Sequence, residues 1–311
     1  MQWRRCVRGR PRIVSAILEM EFDRRPSTLA YMLRACYPSA GLRETGGFPP
    51  IRVRWRQHRV DRRQLALFLQ LTGLHADQTL PMLYPQVFGF PVLMVILTHP
   101  AFPIPIWNLL QIRNHLLQHH AIATDAVLDL ETRVAGQRIL EKGAEVDLYT
   151  SIRARDELVW ESLNTFYYRG GYGEPGSASS LARAPASGDQ VLAQWHMGAG
   201  AGWRFGGLSG DYNGIHWSDW YARRFGFRKA FQHPQLVLGK CLAHLPAPHP
   251  AGAQRLDAWL KGPVYYDSEV SLQGTVESDG MRFALSAADE QRPAIIGCFG
   301  NVASENRIRV D

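Results

Sequence analysis

The chain is poor in cysteine, and none of its cysteines sits in a ligand-like arrangement. Cys6, Cys36, Cys241 and Cys298 lie far apart in 311 residues, with no Cys-x-x-Cys pair and no histidine cluster at metal spacing. That excludes a zinc-finger pattern and a disulfide framework, and makes a reducing cytoplasm the expected compartment. Long apolar runs are lacking too. The longest, Phe88 to Leu97, is interrupted by Pro91 and ends at His99-Pro100, well short of the roughly 20 apolar residues of a spanning helix. The arginine-rich start, Met1 to Arg12, is followed by a short apolar stretch closed by Glu19, with no small-residue cleavage site, so it does not read as a secretory signal. Lysine is scarce: only four of the 35 basic residues are lysine, in a chain of net charge +7. Outside the N-terminal arm these charges are scattered rather than striped, which argues against nucleic-acid binding and fits a phosphate-bearing or acidic partner.

At this length about two domains are expected, and 46% hydrophobic with 20% charged residues is an ordinary globular balance. Residues 1–50 read as an extension: a basic arm, a short helix at Ser27 to Cys36, then the Gly/Pro-rich Gly46 to Pro50. From Ile51 the pattern alternates as in a half-buried strand, and Arg62 to Leu71 is an amphipathic helix closed at Gly73. Tyr84 to Leu97 reads as a buried helix. Strands are expected at Ala126–Val134, Ala144–Ile152 and Leu158–Tyr168, completing a first half over 51–170. The Gly/Ser/Ala/Pro-rich residues 171–188 read as a linker. In 189–311 the order recurs: a glycine-rich loop, helical segments at Trp217–Phe225 and Pro234–Leu245, then strands at Pro263–Asp267, Glu269–Glu277, Met281–Ala288 and Ala294–Val302. The fold class expected is α+β.

The most informative stretch is Leu208-Ser-Gly-Asp-Tyr-Asn-Gly-Ile-His216, followed by Phe231-Gln-His-Pro234. Taken alone, Gly210 to Gly214 is also a good turn, with Asp or Asn as the cap of a following helix. With His216 and His233 in register, it resembles the hydratase motif of MaoC-like dehydratases and (R)-specific enoyl-CoA hydratases. More weakly, Leu80 to Pro91, Ala101 to Pro105, Gln111 to Asn114 and Trp160 to Ser162 resemble the first half of two-domain members of that family. The resemblance implies a double hotdog, two antiparallel sheets each wrapped around a central helix, with a degenerate first half and a catalytic second half. It also implies reversible dehydration and hydration of (3R)-hydroxyacyl and 2-enoyl thioesters on coenzyme A or acyl carrier protein, by a monomer or homodimer without cofactor or metal.

That chemistry needs one group to exchange a proton at carbon 2, one to handle the hydroxyl at carbon 3, and donors to the thioester oxygen. Asp211 and His216 are the acid/base pair the motif offers. An imidazole near neutrality can accept a proton and return it, while a carboxylate orients it or holds the catalytic water. The resemblance implies that both grip that water, with Asn213 and Gly210 supporting the loop. Two positions depart from the family pattern. Gly214 stands where the family has proline, with little chemical consequence. Pro234 stands where the glycine after His233 would supply an N–H to the thioester oxygen, and proline has none. Either the Gln235 N–H or side chain substitutes, or the chain has moved to a less demanding reaction. Pro234 is equally a normal first residue of a helix, with the donor elsewhere. The competing expectation is therefore an acyl-thioester-binding or partner subunit.

Overall fold

The computed structural model describes residues 17–186, 188, 190–246, 252–290, 292–303 and 306–310. The basic arm Met1–Arg12 with Cys6, Ser187 of the expected linker and Asp189 at the start of the expected second half lie outside them. The elements run β1 (Leu18–Phe22), α1 (Thr28–Arg34), α2 (Leu42–Thr45), β2 (Ile51–Arg59), α3 (Arg62–Thr72), α4 (Tyr84–Phe88), α5 (Phe90–Leu97), β3 (Leu109–Gln118), β4 (Val127–Leu140), β5 (Gly143–Ala154) and β6 (Glu157–Arg169). After an irregular crossing they continue β7 (Gln190–Met197), α6 (Ala201–Ser209), α7 (Asp219–Arg224), α8 (Pro234–Ala243), β8 (Ala253–Leu260), β9 (Ser268–Glu277), β10 (Gly280–Ala287) and β11 (Ile295–Val302). No helix among the described residues is long and apolar enough to cross a membrane, and Cys36, Cys241 and Cys298 are free thiols.

The α+β class holds, but the sheet is one rather than two. Eleven strands form a single sheet in the order β1-β2-β4-β5-β6-β3-β8-β11-β10-β9-β7. The two sets of strands meet at an antiparallel seam of β3 with β8, from Arg113 opposite Trp259 to Gln118 opposite Gln254. Hydrogen bonding across that seam leaves neither set with a free inner edge, which is why the sheets merge. Only β1 with β2 is parallel. The described part of the 1–50 extension thus contributes an edge strand and the helices α1 and α2, with Ser27 capping α1.

Several expectations are corrected. The buried run Tyr84–Leu97 is two helices meeting at Gly89, each with a proline in its first turn. Pro263–Asp267 is not a strand: Pro263 lacks an N–H for a ladder and Asp267 has φ 52°. The tight glycine-rich stretch is helix α6 despite three glycines. A Cβ at Gly202 would collide with the carbonyl oxygen of His216, so close approach to that segment requires glycine there. Strands β1, β3, β7 and β8 were not anticipated. In β3 the sequence Arg113-Asn114-His115 is buried on both faces, which erases the alternation by which a strand is recognised.

Helix α5 is apolar on every side and almost wholly buried, as a central helix must be. It packs on β2 and β4, while α3 packs against α6 and α8 and α4 against α6. One core therefore joins both sets of strands, from Val53, Ile96 and Leu130 to Leu236, Leu256 and Phe283. The irregular residues before β7 and the C-terminal segment cover the other face, where Leu181 and Ile308 pack on Leu117 and Leu163. Ile96→Ala is expected to lower the unfolding free energy by about 2–5 kcal/mol. Leu29→Ala, on the exposed face of α1, should change it by no more than about 0.5 kcal/mol; chemical denaturation of the two variants checks the pair.

Candidate active site

Helix α6 ends at Gly210, whose φ of 87° lets its N–H close the helix on the carbonyl of Gly206 at 2.7 Å. The chain then turns through a ladder of short side chains. Ser209 Oγ accepts from the Asp211 N–H at 3.1 Å, Asp211 Oδ1 from the Asn213 N–H at 3.1 Å, and Asn213 Oδ1 from the Ile215 N–H at 3.3 Å. Asn213 thereby caps the one-turn 3-10 helix Gly214–His216. Two tyrosines hold this loop from outside: Tyr31 of α1 donates to the Gly210 carbonyl at 2.8 Å, and Tyr266 to the His216 carbonyl at 2.7 Å. Gly210 and Asn213 thus shape the turn itself, one closing α6 and the other capping the 3-10 turn.

The loop delivers Asp211 and His216 to the same place. His216 Nε2 lies 3.7 Å from Asp211 Oδ2, too far for a direct hydrogen bond and suited to two groups gripping one small molecule between them. His216 is 4% exposed, and its Nδ1 is 3.0 Å from the carbonyl oxygen of Phe231. A carbonyl only accepts, so Nδ1 carries the proton and Nε2 presents a lone pair. Burial lowers the His216 pKa, against smaller opposing pulls from the Asp211 carboxylate and the Phe231 carbonyl. The ring is therefore neutral at pH 7 and ready to take a proton.

His233 stacks on His216 with ring centres 3.9 Å apart, and its Nε2 donates to the Asp211 carbonyl at 2.9 Å. Burial, then the neighbouring His216, pushes its pKa well down. Asp211, His216 and His233 bring ligand-type atoms within 4.8 Å of one another. The two ring planes are 26° apart, and the Nε2 hydrogen of His233 is spent on the Asp211 carbonyl.

Asp211, Asn213, His216, Pro234 and Gln235 all line one cavity of about 290 Å³, while Gly210 and His233 stand behind its wall. The rest of the lining is mostly apolar and comes largely from the first set of elements, including Met94 and Leu97 of α5, Leu109 of β3 and Phe166 of β6. Gln111 and Lys261 also reach it. Sequence reasoning missed the Phe231 carbonyl, Tyr31 and Tyr266, because a backbone oxygen and remote tyrosines leave no local pattern. Gln111 carried one signal, a polar amide inside an apolar stretch. A mainly apolar cavity with an acid/base pair in its wall can hold an apolar chain with a reactive end.

No family model matches the chain. Over 260 residues it is 25% identical to 3-hydroxyacyl-thioester dehydratase X of Mycobacterium tuberculosis, covering 82% of this chain and 91% of that protein. The crystal structure of that protein, HtdX, superposes with a TM-score of 0.69 over 81% of this chain and all of the other, at 21% identity. A MaoC-like dehydratase from Phytophthora capsici gives 0.67 at 17% identity, over 82% of this chain and 96% of its own. A further Mycobacterium tuberculosis protein, described as having a double hotdog fold, gives 0.53 at 14% identity, over 80% and 95%.

The lowered pKa values of His216 and His233 make an acid-side prediction. Between their folded values and the ordinary value near 6.5 the unfolded chain binds more protons than the folded one. Stability is then complete above about pH 6.5 and falls as pH drops below it. Denaturant titrations from neutrality toward pH 5 are expected to show this loss, with a shallower slope in His233→Asn. A slope unchanged by His233→Asn contradicts the assignment.

Proposed function

We propose that this chain, a relative of the MaoC-like 3-hydroxyacyl-thioester dehydratases, is a hydro-lyase that reversibly hydrates 2-enoyl thioesters and dehydrates (3R)-hydroxyacyl thioesters. The observation that carries the reading is the Asp211–His216 pair, 3.7 Å apart, in the wall of an otherwise mainly apolar cavity. In the hydration direction Asp211 Oδ2 and His216 Nε2 hold a water between them. The Nε2 lone pair takes a proton from that water as its oxygen adds to carbon 3, and electron density moves to the thioester oxygen. The imidazolium, faced by the Asp211 carboxylate, then returns a proton to carbon 2, so that water has been added across the double bond. Asn213 holds the loop, and the chain's own residues need no metal or cofactor for these steps.

In this reading residues 51–170 are a degenerate hotdog whose strands and α5 wall the acyl chain, 171–188 join the halves, and 189–311 are the catalytic hotdog. Each half wraps its sheet around a helix, α5 in the first and α8 in the second. Residues 1–50 lock the catalytic loop through Tyr31. Both halves reside in one chain, so a monomer carries a whole site. The thioester sits on coenzyme A or acyl carrier protein, and the net charge of +7 suits either acidic carrier. Pro234 favours a second reading, an acyl-thioester binder without turnover.

Loss of the conjugated enoyl absorbance of trans-2-octenoyl-CoA separates the two. The wild-type chain is expected to hydrate it, and Asp211→Asn with His216→Ala to reduce kcat by about 10²–10⁴-fold. Tight binding with no turnover selects the binder. Met94→Trp, which fills the apolar wall, is expected to raise KM for trans-2-octenoyl-CoA by about tenfold or more while sparing crotonyl-CoA, an outcome read from the two KM values.

A further inference from the structure

Negative charge that gathers on a thioester oxygen must meet a hydrogen-bond donor. The backbone beside His216 supplies none at Pro234, the first residue of α8, which lines the cavity with a nitrogen that carries no hydrogen. Among the polar side chains of the wall, Asp211 as a carboxylate only accepts. Trp107 spends its N–H on the Ala35 carbonyl at 2.8 Å, and His216 spends Nδ1–H on Phe231. Asn213 is tied to its own turn through Oδ1, which accepts from the Ile215 N–H, and Lys261 is exposed to solvent.

The amides of Gln111 and Gln235 differ from these in being held by a chain of hydrogen bonds. Gln235 Nε2 donates to Gln111 Oε1 at 2.9 Å, and Gln111 Nε2 donates to Asn164 Oδ1 at 2.7 Å. The same Asn164 oxygen accepts from Gln86 Nε2 at 2.7 Å and Asn114 Nδ2 at 2.9 Å. Three N–H groups converge on one carbonyl oxygen in a dry setting, where Asn114 and Asn164 are 0% exposed. A flipped Asn164 would set its own NH2 against those three donors, a penalty that fixes its orientation. Asn164 thereby fixes which end of Gln111 faces Gln235, and Gln111 fixes Gln235. One N–H of Gln235 is engaged with Gln111, and a side-chain amide has two.

Resting on the acyl-thioester reading above, we propose that the second side-chain N–H of Gln235 donates to the thioester oxygen, replacing the backbone N–H that Pro234 lacks. Gln235 is then a catalytic residue, while Gln111 and Asn164 are positioning residues contributed by the other set of elements. The donor is stronger in its effect on the enolate than on the ground-state carbonyl, so it acts on kcat more than on KM.

The test uses the full chain with two ligands: octanoyl-CoA isotope-labelled at its carbonyl carbon, which cannot react, and trans-2-octenoyl-CoA for turnover. Infrared difference spectra of bound octanoyl-CoA are expected to show the carbonyl band below its free position in wild type. Gln235→Leu should abolish that shift and lower kcat by about 10²–10³-fold, with KM within about threefold. Gln235→Glu, of the same shape but without the N–H groups, should fall alongside it, which separates loss of the donor from loss of packing. Gln111→Leu should weaken the shift and cost about tenfold in kcat. Adding Pro234→Gly to Gln235→Leu restores an N–H to the backbone and should recover both the shift and at least about tenfold of kcat. Turnover with no carbonyl shift in wild type, an unchanged kcat in Gln235→Leu, or no recovery in a double variant that circular dichroism shows to be folded overturns the assignment of the donor alone. A wild-type chain that neither binds octanoyl-CoA nor hydrates the enoyl ligand overturns the acyl-thioester reading and the donor with it.

Discussion

A single hydrogen bond, from Nδ1–H of buried His216 to the carbonyl oxygen of Phe231, governs the chemistry available to the site. It decides which nitrogen carries the proton and so turns Nε2, with its lone pair, toward Asp211. Burial keeps the ring neutral, and His233 stacked behind it prevents rotation away from that partner. The carboxylate and the imidazole then stand 3.7 Å apart, a gap that favours sharing a third group over pairing with each other.

The geometry depends on parts of the chain that carry no acid or base. Tyr31 reaches the Gly210 carbonyl from a helix 179 residues away in sequence, and Gln111 meets Gln235 across 124 residues. Both contacts require the β3–β8 seam, which makes one sheet and one core of the two sets of strands. The apolar lining comes largely from one set and the polar pair from the other. The set of elements without the motif thus supplies most of the apolar wall and the Gln111–Asn164 amide pair.

Much of the local structure was legible because its cause is local. Asp61 caps α3, Gly73 closes it, and the alternation of Val270, Leu272 and Val276 marks a strand, now β9. Errors arose where long-range packing overrode local preference. Helix propensity argues against α6, yet its glycines are what let it pass beside His216. Strand β3 lost its alternation because both of its faces are buried. The expected pair of sheets became one because edge hydrogen bonds left open by each set are satisfied by the other.

The candidate pair itself, Asp211 with His216, could be named from the resemblance of its segment to a known motif, although Tyr31 and Tyr266 from distant parts of the chain hold the loop that carries it. The same resemblance marked Pro234 as a position without the N–H that the family pattern has there, a covalent fact that no packing can change. What only the tertiary structure decided is the environment: which imidazole nitrogen is protonated, what walls the cavity, and which amide faces it. These depend on a backbone carbonyl, on burial and on partners more than a hundred residues distant, and such contacts leave no period or motif in the chain.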